Sequence, residues 1–138
     1  MTDISNPAQK SVHVSALFAV TTVAEAITGI ALLVYPPIVV RLLFGAEIAG
    51  VGIVICRVAG AALFSIGVAC WLARNDLGSA TQFGLVIGVL IYDVVVAALL
   101  AYAGLFLELT GIVLWPAVVA HVGLALWCAA CLWFKKSR

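Results

Sequence analysis

Seven basic and six acidic side chains are all that interrupt this chain of 138 residues, and they leave four long apolar runs between them. The first reads from Ser15 to Tyr35 and meets Pro36 and Pro37. Proline lacks the amide hydrogen and its ring clashes with the preceding turn, so a helix interior stops there. The second run extends from Val51 to Ala73 and closes on Arg74, Asn75 and Asp76. The third spans Ala80 to Ala103 and is expected to close at Gly104, and the fourth spans Gly111 to Phe134, ahead of Lys135, Lys136 and Arg138. Each holds about 21–24 residues, which at about 1.5 Å per residue crosses a hydrocarbon core of about 30 Å. No run alternates polar and apolar residues at period two, so barrel strands are a poor alternative.

Composition narrows the class further. Hydrophobic residues make up 66% of the chain and charged residues 9%, against about 45–50% and about 25% in ordinary soluble domains. A water-soluble fold of this size would expose most of that apolar surface. Lipid is therefore the expected solvent for the outward faces. A net charge of +1 leaves no basic footprint for nucleic acid. The expected fold is all-α: a single transmembrane domain over residues 1–138, built as a polytopic four-helix bundle with spans near 15–35, 51–73, 80–103 and 111–134. The segment from Pro36 to Gly45 is short and apolar and carries only Arg41, which predicts a short interfacial helix stopped by the glycine. Glu47 is then expected in the first turn of an extended second span, where a negative charge suits the helix dipole. Pro116 either kinks the fourth helix or marks where an interfacial piece joins it.

With both termini cytoplasmic, the inner side holds Lys10, Arg74, Lys135, Lys136 and Arg138 and the outer side holds Arg41 alone. That distribution satisfies the positive-inside rule. Ala24-Glu25-Ala26 resembles the cleavage site of a secretory leader. The apolar run continues past it to Tyr35, however, and Lys10 is its single basic flank, so the first run is expected to remain a span.

Three charged side chains fall inside the spans, Glu25, Arg57 and Asp93, and His121 joins them in the fourth. Each span thus contributes one ionisable group. A charge at the bilayer centre costs about 2.5–3.5 kcal/mol on insertion scales, so these groups are expected to find one another. The expectation is a shared layer in which Arg57 satisfies one carboxylate bidentately and the other acid is neutral or shares a proton with His121. Thr21, Glu25 and Thr28 recur at helical spacing, as do Gln82, Val86, Val89 and Asp93, with Tyr92 at the flank. His121 and Cys128 share a face. The candidate ligand-binding set is therefore Glu25, Arg57, Asp93, His121, Tyr92, Thr21, Thr28 and Cys128. A plain structural role, polar contacts fixing helix registry, competes with it.

Four cysteines lie in apolar runs. Cys128 and Cys131 have the spacing of a redox pair, but late in a helix, where a thiolate is disfavoured. An encounter of Cys70 with Cys128 or Cys131 is geometrically allowed, whereas buried packing is the usual lot of a free cysteine. No metal site is expected, because Cys56 would have to travel most of the membrane to join the others. Gly84 and Gly88 form a small-xxx-small match, read as bundle packing ahead of a dimer seam, and Gly52, Cys56, Gly60 and Gly67 offer a second close-approach face. Trp71, Trp115 and Trp133 fit interfacial belts, and Trp127 lies deeper, as packing or a pocket wall. His13 and His121 lie at different depths, which disfavours a bis-histidine haem.

The stretches from Gly29 to Pro37 (GIALLVYPP), Arg57 to Trp71 (RVAGAALFSIGVACW) and Trp115 to His121 (WPAVVAH) resemble the DoxX-like group of small four-helix membrane proteins over residues 15–134. A Glu in the first helix, Arg-x-x-Gly in the second and a His in the fourth carry the resemblance. Some members of that group resemble or accompany quinone-linked sulfur or thiol redox systems, so the resemblance implies a membrane redox or quinone-related role; the expected location is a bacterial inner membrane. Whether the chain is an enzyme stays open.

The leading functional reading is an intramembrane polar site for a hydrophobic small molecule such as a quinone or lipid, entering from the bilayer. One alternative is a non-catalytic subunit of a larger membrane complex or a homo-oligomer. The other is proton-coupled transport, although no inverted repeat is visible.

Overall fold

The structure, a computed structural model, describes residues 7–76 and 79–136. They form five helices: α1 (Pro7–Val34), α2 (Pro36–Phe44), α3 (Val51–Ala73), α4 (Ala80–Phe106) and α5 (Leu114–Lys136), with no strand among the described residues. Four of them, α1, α3, α4 and α5, are long and apolar enough to cross a membrane. The chain is a multi-pass, all-helical membrane protein. The side chains of Lys10, Lys135 and Lys136 and the whole of Arg138, on which the expected orientation leans, lie outside the described residues.

α1 ends where Tyr35 leaves helical geometry, and Pro36 and Pro37 then occupy the first positions of α2, where no amide hydrogen is needed. α2 is the expected short helix. Gly45 closes it at φ 69°, its amide donating to the Arg41 carbonyl at 2.9 Å, in the left-handed conformation that glycine adopts without cost. α2 is also tied to the far connection. The Val113 amide donates to the Leu42 carbonyl at 2.9 Å, and Gly111 presses against the Leu43 backbone, where a side chain has no room.

Several expected positions shift: α1 begins at Pro7 ahead of the expected Ser15, and α5 begins at Leu114 rather than Gly111. Glu47 lies in the loop between α2 and α3, exposed, because α3 begins only after Gly50 at φ 56°. Gly104 lies inside α4, which runs to Phe106. A Cβ there would meet Leu114 at 3.0 Å and Trp115 at 3.2 Å, so this glycine serves close packing rather than termination. Pro116 falls in the first turn of α5, where the missing amide hydrogen costs nothing and no kink is required.

Packing is uneven. α1 lies against α3 and α4 against α5, and the two pairs meet chiefly along α1 and α5, while α3 barely touches α4. The α1–α3 seam is built from the absence of side chains. A Cβ on Gly29 would sit 2.7 Å from the Gly60 carbonyl oxygen and the Phe64 amide nitrogen, and one on Gly60 would sit 2.7 Å from the Gly29 oxygen. Gly67 faces the Thr22 carbonyl, and the Thr22 hydroxyl donates to the Gly67 carbonyl at 3.0 Å. Gly60 and Gly67 thus supply the close approach expected of them, toward α1. Gly84 and Gly88 do not: a Cβ on either meets nothing within 4 Å. Their side of α4 is open rather than packed inside the bundle.

Below mid-bundle, Leu17 and Phe18 of α1, Cys70 and Ala73 of α3, Val86 and Val89 of α4 and Cys128 of α5 form one buried cluster, with Trp127 and Cys131 packed against it. Most of the remaining apolar surface, including Val54, Ile55 and Val58 on α3, faces outward as lipid contact requires.

Candidate functional site

One to two turns above that apolar cluster the interior becomes polar. On α1 the buried stripe advances in steps of four, Leu17, Thr21, Glu25 and Gly29. Such steps precess around a helix of 3.6 residues per turn, so by the fourth turn the interior has rotated away from Thr28. Thr28 is accordingly exposed and leaves the expected set. Thr21 and Glu25 stay in it, 1% and 3% exposed. α4 contributes Asp93, 1% exposed, from the same face as Gln82, Val86 and Val89. Tyr92 sits half-buried beside it and donates its hydroxyl to Glu25 Oε2 at 3.3 Å. α5 contributes His121, whose Nδ1 lies 2.7 Å from Asp93 Oδ1. The Tyr92 and His121 rings meet edge to face at 5.7 Å.

The polar groups thus form a chain across the bundle, Glu25 to Tyr92, ring to ring with His121, and His121 to Asp93. Two atoms in this region lack hydrogen-bond partners among the described residues, Asp93 Oδ2 and Thr21 Oγ1. Buried polar atoms are rarely left so. With Nδ1 committed to Asp93, the other ring nitrogen of His121 is available, and the side chain is 18% exposed. An imidazole oriented by a carboxylate can accept or give a proton at that second nitrogen.

The structure corrects the expected role of Arg57. The interior arc of α3 passes through Gly60, Gly67, Cys70 and Ala73, and Arg57 falls outside it. Its side chain is exposed, and the single side-chain ion pair among the described residues is that of His121 with Asp93. Arg57 stands six residues into α3, about 9 Å along the axis. Its stem is long enough to carry the guanidinium back toward the end of the span. The shared layer therefore assembles three of its four expected members, Glu25, Asp93 and His121, with Tyr92 as the connector.

Cys128 is buried one layer away, in the cluster that also holds Cys70. All four cysteines are free. No three His, Cys, Asp or Glu side chains among the described residues converge on a point that a metal could occupy.

Sequence reasoning missed a groove of about 520 Å³ between the end of α3 and the start of α4, lined chiefly by Ala69, Leu72, Ala73, Gly84, Leu85 and Gly88, with Asp76 and Thr81 as its polar members. The small-residue spacing of Gly84 and Gly88 was its signal. The groove opens outward where α3 and α4 stand apart, and its lining stops at Gly88, one turn below Tyr92 on α4. At the rim, Arg74 stacks on Trp71 at 3.2 Å and donates to the Trp71 carbonyl at 2.9 Å, fixing the belt-like Trp71 at the end of α3.

Compared with known proteins, the chain matches no family model, no curated protein and no solved structure.

Proposed function

We propose that this protein binds a hydrophobic small molecule within the membrane, holding its polar head at the Glu25–Tyr92–His121–Asp93 chain and its apolar body along the α3–α4 groove. The observation that carries the proposal is the buried Asp93 carboxylate, bonded to His121 through one oxygen and, among the described residues, unpartnered at the other. Polar contacts that merely fix registry satisfy their own atoms. A group held in lipid with an open acceptor is built to meet something else. Gly84, Gly88 and Tyr92 follow one another at steps of four on α4, so a chain lying in the groove points toward the Tyr92 ring. The exposed part of His121 supplies a second approach from the lipid.

Quinones and lipids both have this build. The test is mass spectrometry of lipids extracted from the protein purified in nanodiscs, joined to thermal shifts with decylubiquinone. A species enriched over empty nanodiscs, or a shift abolished by Asp93→Asn, supports the reading. Absence of both overturns it.

A second reading rests on a different observation. Arg57 and the open Gly84–Gly88 face both point outward, as a subunit of a larger assembly would present them. Purification under native conditions decides this: a stoichiometric protein partner favours it, and a homogeneous single species disfavours it.

A further inference from the structure

We infer that the head group taken by this site is a hydrogen-bond-donating cation, a protonated amine on a lipophilic body. This deepens the reading above and rests on it.

Charge is the first argument. The titratable groups facing the cluster are Glu25 from α1, Cys70 from α3, Tyr92 and Asp93 from α4, and His121 and Cys128 from α5. Two are acids, and His121 alone among them can be cationic. The guanidinium that would have balanced the second acid faces outward on α3. Ionised carboxylates with a protonated imidazole therefore leave one negative charge without a partner, deep in a bilayer. A bound ammonium supplies that partner.

Hydrogen-bond capacity is the second argument. A carboxylate only accepts. Among the described residues, Asp93 Oδ2 accepts nothing and Glu25 accepts one bond, from Tyr92. Thr21 Oγ1, on the same buried stripe as Glu25 and itself unpartnered among the described residues, is a hydroxyl that can accept from an ammonium as well as donate. The open carboxylate oxygens thus call for N–H donors. A quinone head brings only acceptors and cannot partner an ionised Asp93 Oδ2. The Tyr92 ring adds an electron-rich face suited to a cation. A metal ion is disfavoured by the lack of three converging ligands among the described residues. The groove supplies a mostly apolar lining for the body of the molecule, with Asp76 and Thr81 among its lining residues.

The experiment compares four probes by calorimetry in phosphatidylcholine nanodiscs, each against empty nanodiscs: dodecylammonium, dodecyltrimethylammonium, dodecanol and decylubiquinone. Dodecylammonium is expected to bind about tenfold or more tightly than dodecanol, the scale of one charge-assisted hydrogen bond. The trimethyl probe, charged but without N–H, is expected between them. Glu25→Gln and Asp93→Asn should each weaken the ammonium by about tenfold or more, and Thr21→Val by a few-fold, while Arg57→Gln leaves it unchanged.

Dodecanol or decylubiquinone binding as tightly as the ammonium, and weakened by Asp93→Asn, overturns the head-group class and leaves the site standing. No probe binding above empty nanodiscs overturns both. Should Asp93→Asn fail to fold, undiminished ammonium binding in both Thr21→Val and Glu25→Gln overturns the inference on its own.

Discussion

His121 Nδ1 stands 2.7 Å from Asp93 Oδ1, joining α5 to α4 by the one side-chain ion pair among the described residues. The acid is almost wholly buried and the imidazole reaches the surface of the bundle. The pair therefore couples an interior charge to a position that lipid, or a molecule dissolved in lipid, can touch.

Removing one partner leaves the other buried and alone. Asp93→Ala and His121→Ala are each expected to cost about 1–3 kcal/mol of stability, and the double variant less than their sum, with a coupling of about 1 kcal/mol or more. A double-mutant cycle on unfolding in mixed micelles measures it. Additivity would mean that the contact contributes nothing.

Arg57 gives the opposite expectation. Its side chain faces outward with no carboxylate beside it. Arg57→Leu should change stability by no more than about 0.5 kcal/mol, or raise it, and should be additive with Glu25→Gln and Asp93→Asn. A loss of about 3–5 kcal/mol, the scale of a broken buried pair, would place the guanidinium inside the bundle.

The glycines divide into two groups with different responses. At Gly29 and Gly60 a methyl group meets backbone atoms at 2.7 Å. Gly29→Ala and Gly60→Ala should each destabilise by about 1–3 kcal/mol or more, because backbone does not yield as a side chain does. At Gly84 and Gly88 nothing lies within 4 Å. Alanine there should be neutral or stabilise by up to about 1 kcal/mol through helix propensity. Equilibrium unfolding of the four variants tests the contrast, and a loss at Gly84 or Gly88 would reveal a second chain on that face.

Thr22 holds α1 to α3 through its hydroxyl on the Gly67 carbonyl at 3.0 Å. Thr22→Val keeps the shape and removes the donor. The expected loss is about 0.5–1.5 kcal/mol, in keeping with interhelical hydrogen bonds in membranes. Thr22→Ser should retain most of the stability in the same unfolding assay.

The spans were legible because lipid imposes length and polarity over some twenty residues at a time. The second run, Val51 to Ala73, coincides with α3 to the residue. The short α2 was legible because Pro36, Pro37 and Gly45 act locally. Orientation around each axis was harder to read. Depth alone placed Arg57 with the acids, whereas the close packing of Gly60 and Gly67 on α1 sets the rotation of α3 and turns Arg57 outward. Thr28 failed for a related reason, since the buried stripe of α1 precesses. Gly104 read as a terminator when it serves as a contact for Trp115. Such facts depend on which neighbour arrives, and a single chain of letters does not state its neighbours.

The glycine seam between α1 and α3 also sets a sequence of events. Its hydrogen bond joins residues 45 apart, so both helices are available for pairing before α4 has left the ribosome. The hairpin can close early. Glu25, however, finds its Tyr92 partner 67 residues downstream. During synthesis a completed half-bundle therefore waits in the bilayer with its acid unpaired. The second half is received by a preformed docking face whose polar spot marks the register at which α4 must stop.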